Sequence, residues 1–247
     1  MDSADAANPV APYLLQLLWA VPSERLEEFR SWYEEEHLAD MASVPGIVLA
    51  RRFERQASYP FASPTTSEHV TIYEVADRGA FATDEYRQLS SAPSPRTMKV
   101  AAGLGMRRSV YHQLFPAMGA WRGRAVSEAP VQRAGQAVLH ITMGSDPDCE
   151  DDFNRWYNEE HLPMIAAVDG VLHGRRFIEL EGDASGPGPR PLRYLALYEL
   201  ADASVAASPE FVAAGEPTEW RRRLGTRLES HVQVYEQVAR LVGPPAP

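Results

Sequence analysis

Cysteine is nearly missing from this chain. Its 247 residues hold one, Cys149, which excludes an internal disulfide and a cysteine-built metal cage. Long apolar runs are missing too: none approaches the roughly 20 residues that span a bilayer. The start MDSADAANP has neither the basic segment nor the apolar stretch of a secretory signal, so a cytoplasmic protein without membrane contact is expected. Basic residues are outnumbered, 24 Lys and Arg against 34 Asp and Glu, and a net charge of −10 repels phosphate backbones. Only Arg221-Arg222-Arg223 forms a basic run, so nucleic acid is not an expected partner. There is no Gly-rich phosphate loop, no Gly-x-Ser-x-Gly elbow and no dinucleotide fingerprint. Neighbouring Glu-His residues on a helix diverge, unlike the i, i+4 spacing that chelates zinc, so neither metal nor cofactor is expected.

What the chain does have is a repeat. Phe29-Arg-Ser-Trp-Tyr-Glu-Glu-Glu-His-Leu returns as Phe153-Asn-Arg-Trp-Tyr-Asn-Glu-Glu-His-Leu, an offset of 124 positions (Phe29 to Phe153). The match continues through Gly46 and Gly170 to Arg51-Arg52-Phe53 and Arg175-Arg176-Phe177. Further on, Tyr73-Glu74 meets Tyr198-Glu199, and Val110-Tyr111 meets Val234-Tyr235. In each copy an apolar run (13–20, 137–144) reads as a buried strand. A helix follows, opening near Pro22-Ser23 or Asp146-Pro147 and closing before Pro45-Gly46 or Asp169-Gly170. Two strands come next (47–54 and 69–76; 171–180 and 193–201), then a second helix (79–102; 203–228) and a last strand (107–115; 231–238).

This β-α-β-β-α-β order predicts an α+β fold of two tandem ferredoxin-like units, 1–115 and 137–242, joined by a linker at 116–136 and ending in a tail at 243–247. Strand positions such as Leu14, Leu18, Val138 and Thr142 are too apolar for water, so the two sheets are expected to close face to face as a pseudo-dimeric α/β barrel. That makes a monomer sufficient and leaves a homodimer open.

The Trp-Tyr-x-x-Glu-His-Leu helix, the Gly-containing turn and the Arg-Arg-Phe strand resemble the EthD-like members of the dimeric α/β-barrel superfamily, in both halves. The resemblance implies the barrel and a small-molecule substrate, and it spans isomerases, cofactor-independent monooxygenases, cyclases and haem enzymes.

On a helical wheel of about 100° per residue, Phe153, Trp156, Tyr157, Glu160 and His161 share one arc, as do Phe29, Trp32, Tyr33, Glu36 and His37. Glu36 and Glu160 fall near the middle of the aromatic face, while Glu35 and Glu159 point outward. One reading makes His161 and His37 general acid–base groups at the mouth of the barrel, with Glu160 and Glu36 orienting them. Trp156, Tyr157, Trp32 and Tyr33 would then form an aromatic wall, and Arg176 and Arg52 would anchor an enolate or carboxylate. The other reading has the two carboxylates bridging to Arg52 and Arg176, and the histidines capping helix carbonyls. His140 shares a strand side with Val138 and Thr142, pointing inward either as a ligand contact or as a satisfied core residue. Cys149 lacks the paired base of a nucleophile.

The leading expectation is a cofactor-independent acid–base enzyme, an isomerase, lyase, decarboxylase or cyclase acting on a small apolar, aromatic or polyketide-like carbonyl compound. Two alternatives stand beside it: a haem or oxygen-using enzyme, with His140 or His161 as axial ligand, and a non-catalytic small-molecule binding module.

Overall fold

A computed structural model describes residues 11–60, 69–118, 120–121, 124–125, 135–182, 184–186 and 192–244, with only the backbone described over 115–125. Most of the expected linker and the last three residues of the tail lie outside the described residues.

The first half runs β1 (Tyr13–Ala20), α1 (Leu26–Trp32), α2 (Leu38–Ala42), β2 (Ile47–Arg55), β3 (His69–Val75), α3 (Asp84–Ser91), α4 (Pro95–Ala101) and β4 (Gly105–Met118). Two short strands, β5 (Ala120–Trp121) and β6 (Arg124–Ala125), pair with each other. The second half repeats the order: β7 (Ala137–Ser145), α5 (Glu150–Trp156), α6 (Leu162–Ala166), β8 (Val171–Glu179), β9 (Tyr194–Leu200), α7 (Pro209–Gly215), α8 (Glu219–Leu224) and β10 (Leu228–Val242). No helix among the described residues is long and apolar enough to cross a membrane.

Eight strands close a barrel in the order β1-β3-β2-β10-β7-β9-β8-β4, every neighbour antiparallel. Each half contributes four adjacent strands, β4-β1-β3-β2 and β10-β7-β9-β8, and the seams are β10 on β2 and β4 on β8. Strand alternation explains the layering. Leu14, Phe53, Val70, Ile72, Tyr111, Val138, Phe177, Leu195, Leu197 and Tyr235 point into the barrel and form one buried cluster. Leu15 and Leu17 point out under the helices of the first half, and Leu139, Ile141 and Met143 do so in the second.

The barrel interior also holds charge. Arg51 donates to Glu199 at 2.8 and 2.6 Å, and Arg175 makes the equivalent two-pronged contact with Glu74, so each half neutralises the other's guanidinium. In the same interior His140 Nε2 lies 2.7 Å from Gln16 Oε1, its counterpart in the repeat. Such fully desolvated pairs are costly to break singly, which ties the halves together. Arg51 holds the Glu199 carboxyl down at about 2 against the pull of burial.

The second helical stretch of each copy is not one helix. It breaks at Ala92-Pro93-Ser94 and at Glu216-Pro217-Thr218, where proline interrupts the helix and a Ser or Thr hydroxyl caps the next one by accepting from the Thr97 or Arg221 amide. The expected glycine turns are present at Gly46 and Gly170, with φ of 90° and 85°. A Cβ on Gly170 would lie 2.6 Å from a Val205 methyl.

Candidate functional site

The helix bearing the repeated motif contains a π turn in both halves, Tyr33–His37 and Tyr157–His161, with the Leu38 and Leu162 amides donating to the Tyr33 and Tyr157 carbonyls. This overturns the wheel. At about 100° per residue, Trp and the His five positions later stand roughly 140° apart. The wider turn aligns residues i and i+5, so His37 stacks on Trp32 at 4.3 Å and His161 on Trp156 at 4.8 Å, with ring planes 22° and 23° apart. Stacking of this kind contributes about 0.5–1.5 kcal/mol, which offsets part of the distortion. Turns of this type are frequent at functional sites.

The carboxylates behave differently from both readings. Glu36 accepts from Ser94 and from Thr97 (3.0 Å), and Glu160 accepts from Thr218 and from the Trp156 indole N–H (3.0 Å). Neither bridges to an arginine of the next strand. Arg52 instead pairs with Glu54 (2.8 Å) and Glu34 (3.3 Å), and Arg176 donates to Asn158 (2.6 Å) and Asn154 (2.9 Å) while lying 4.4 Å from the Tyr157 ring centroid. The histidines do not cap helix carbonyls; they stack.

A cavity of about 450 Å³ opens between the helices and the outer face of the second-half sheet. It is not at the mouth of the barrel, whose interior holds the Leu14–Tyr235 cluster and the Arg–Glu pairs. Leu139, Ile141 and Met143 form its floor, Trp156, His161 and Ile165 one wall, and Phe211 with the Gly215–Thr218 turn and Arg221 the other. Tyr59, from the first half, reaches across to close one side. Among the described residues neither ring nitrogen of His161 has a hydrogen-bond partner. Burial, then Arg221 and Arg176, lower its pKa to about 4, so at neutral pH it presents a neutral imidazole to an apolar space.

The structure thus brings Trp156 and His161 to the cavity, with Glu160 behind Trp156. The rest lie elsewhere. Tyr157 is buried, its hydroxyl 3.2 Å from that of Tyr198, and Arg176 sits beneath it. His140 faces the barrel interior and is lowered to about 4 by burial. Trp32, Tyr33 and His37 are packed in the first half, where Trp19 donates to Tyr33 (2.9 Å) and lies 5.9 Å from Trp32. His37 Nε2 is buried without a partner, and burial lowers the ring to about 4. Cys149 is buried. Among the described residues no three His, Cys, Asp or Glu gather to hold a metal.

No family model matches the chain, and no curated protein matches it. Solved structures do. An anthrone oxidase-like protein superposes with a TM-score of 0.60 at 12% identity, covering 95% of this chain and 94% of that one. A putative monooxygenase from Lactobacillus acidophilus gives 0.52 at 12% identity (93% and 95% covered), and DypB from Rhodococcus jostii in complex with heme gives 0.52 at 12% (96% and 95% covered). The chain has the dimeric α/β-barrel fold. In this α/β barrel both sheets come from one chain, and the likeness runs over the whole length.

Sequence reasoning missed Tyr59, Met143, Phe211 and Arg221. Two of them carried a signal: at the offset of 124, Met143 faces Trp19 and Arg221 faces Thr97, the exchanges that open the second half and charge it.

Proposed function

We propose that this chain is an oxygen-using enzyme that removes a proton from an activated carbon of a flat, largely apolar aromatic compound, with His161 as the base. The observation that carries this reading is a neutral imidazole, stacked on Trp156, facing an apolar cavity of about 450 Å³. Proton removal by His161 leaves an imidazolium beside a substrate carbanion, an ion pair that costs less to form in an apolar pocket than either charge alone. The carbanion passes electrons to oxygen, and the resulting hydroperoxide loses water to give a ketone. The whole-length likeness to an anthrone oxidase-like protein and to a putative monooxygenase supports oxygen chemistry over the lyase or isomerase expectation. We also read the barrel as a tandem fusion of two ferredoxin-like units of EthD-like type. The strand orders β4-β1-β3-β2 and β10-β7-β9-β8 support that reading, and it makes a monomer sufficient.

The residues around the cavity do not fit haem. A ligating histidine donates its second ring N–H to an acceptor; His161 has none among the described residues, and the adjacent Glu160 carboxylate is taken up by Trp156 and Thr218. Two propionates would meet one guanidinium, Arg221, and the carboxylate of Glu216.

The test is an oxygen-electrode assay with anthrone, whose reaction with O2 gives anthraquinone and water in equal amounts. Catalysed uptake lost in His161→Gln supports the reading. Anthrone left unoxidised, turnover without oxygen uptake, or a Soret band in the purified protein would each overturn it.

A further inference from the structure

The two halves handle the same arginine in opposite ways. In the first, the buried Arg52 guanidinium is neutralised by Glu34 and Glu54. In the second, those positions are Asn158 and Ile178, and Arg176 has neutral hydrogen-bond acceptors and aromatic rings around it. A second cation is added on the same side. Thr97, which in the first half links Trp32 to Glu36, is replaced by Arg221. The Arg221 guanidinium makes one hydrogen bond, to the Gly225 carbonyl at 3.0 Å, and lies 5.8 Å from the Trp156 ring centroid. It forms no ion pair among the described residues. Its remaining N–H groups are available to a cavity whose lining is otherwise mostly apolar, with Glu216, Thr218, Ser230 and His161 as the polar exceptions. Two guanidiniums that pair with no carboxylate, beside a largely apolar pocket with one carboxylate in its lining, Glu216, leave a net positive field that favours a negative guest.

We infer that the compound bound in this cavity carries an anionic oxygen group on its aromatic body, a carboxylate or an acidic phenol, and that Arg221 binds it. This rests on the reading of the cavity as a substrate site and adds the substrate class. Bound there, the anion also offsets the guanidinium that weakens His161 as a base. Charge on the substrate then serves both recognition and proton removal.

Two fluorescent ligands of matched shape, 2-anthracenecarboxylate and 2-anthracenecarboxamide, separate the charge from the ring. The carboxylate is expected to bind at least about tenfold more tightly than the amide, in keeping with a charge-assisted hydrogen bond. Arg221→Gln should abolish that preference while leaving amide affinity within about threefold, and Arg221→Lys should keep part of it. Retained amide binding also shows that the variant is folded. Should Arg221→Gln lose amide binding as well, the ratio in the wild-type protein and in Arg221→Lys decides. Equal affinities for the two ligands in the wild-type protein, or a preference that survives Arg221→Gln, overturns the inference and leaves the oxygen-using reading standing. Failure of both ligands to bind the wild-type protein overturns the two together.

Discussion

The first half and the second half share one framework and differ in what they leave open. Trp19 plugs the space under the first helix, where Met143 borders a cavity in the second. His37 and His161 sit on matched π turns and stack on matched tryptophans, yet only His161 faces that cavity. The two halves thus carry separate duties. The first half closes the barrel and lends Tyr59 as a wall, while the second exchanges packing and neutralised charge for an opening. The strand framework of both halves stays intact because the altered residues lie outside the barrel, under the helices.

The sharpest test of this contrast is activity in the anthrone assay. His161→Gln is expected to lower turnover by about 10²–10⁴-fold, the range for a general base, and His37→Gln by less than about twofold. Equal losses would erase the distinction. Stability should show the reverse, namely equivalence. Arg51→Met and Arg175→Met each remove the two-pronged partner of a buried carboxylate, Glu199 or Glu74, leaving Glu74 only the longer 3.8 Å contact with Arg51, and each should cost about 3–5 kcal/mol by urea unfolding. A large difference between the two would mean that the cross-half pairs are not interchangeable.

Exchanging the plug comes next. Met143→Trp should weaken 2-anthracenecarboxamide binding at least about tenfold, and Trp19→Met should cost about 2 kcal/mol by thermal unfolding as packing is lost. Unchanged amide affinity in Met143→Trp would show that the cavity lies elsewhere.

The smallest effect is in acid. Burial lowers His37, His140 and His161 to about 4 and His173 to about 3. The unfolded chain takes up these protons near pH 6.5 while the folded one refuses them, so stability is full above that value and declines as pH falls towards 4. His140→Gln, which sets a second amide against Gln16 in place of the imidazole, should shrink the difference in Tm between pH 7 and pH 5. An unchanged difference would show that His140 does not contribute to the acid sensitivity.

The barrel was legible because its signals are periodic and repeated: apolar strands, a proline or serine before each helix, and glycine at 46 and 170. Leu14 and Val138 lie in the shared interior as their apolar character requires. The site was less so. A π turn leaves no mark that a wheel of fixed angle can register, and Trp32 and His37, five residues apart, became neighbours only through it. The cavity arises from single exchanges such as Trp19 to Met143, which alter volume without altering pattern. Arg221 looked like part of a surface charge run, and Tyr59 comes from a loop whose destination depends on tertiary packing. The break at Pro93 and Pro217 does carry a signal, a proline followed by a capping hydroxyl, but the reading of one helix over 79–102 and 203–228 passes over it.

The seam between β2 and β10 joins residues 47–55 to 228–242. During synthesis the first half therefore emerges with an open β2 edge and with Arg51 and Glu74 lacking their counterparts in the second half, and it stays so until the final strand is made. An exposed edge of this kind invites foreign strands. The protein is at its most vulnerable on the ribosome, and a chain cut short before β10 is a candidate for chaperone retention rather than for release as a functional half.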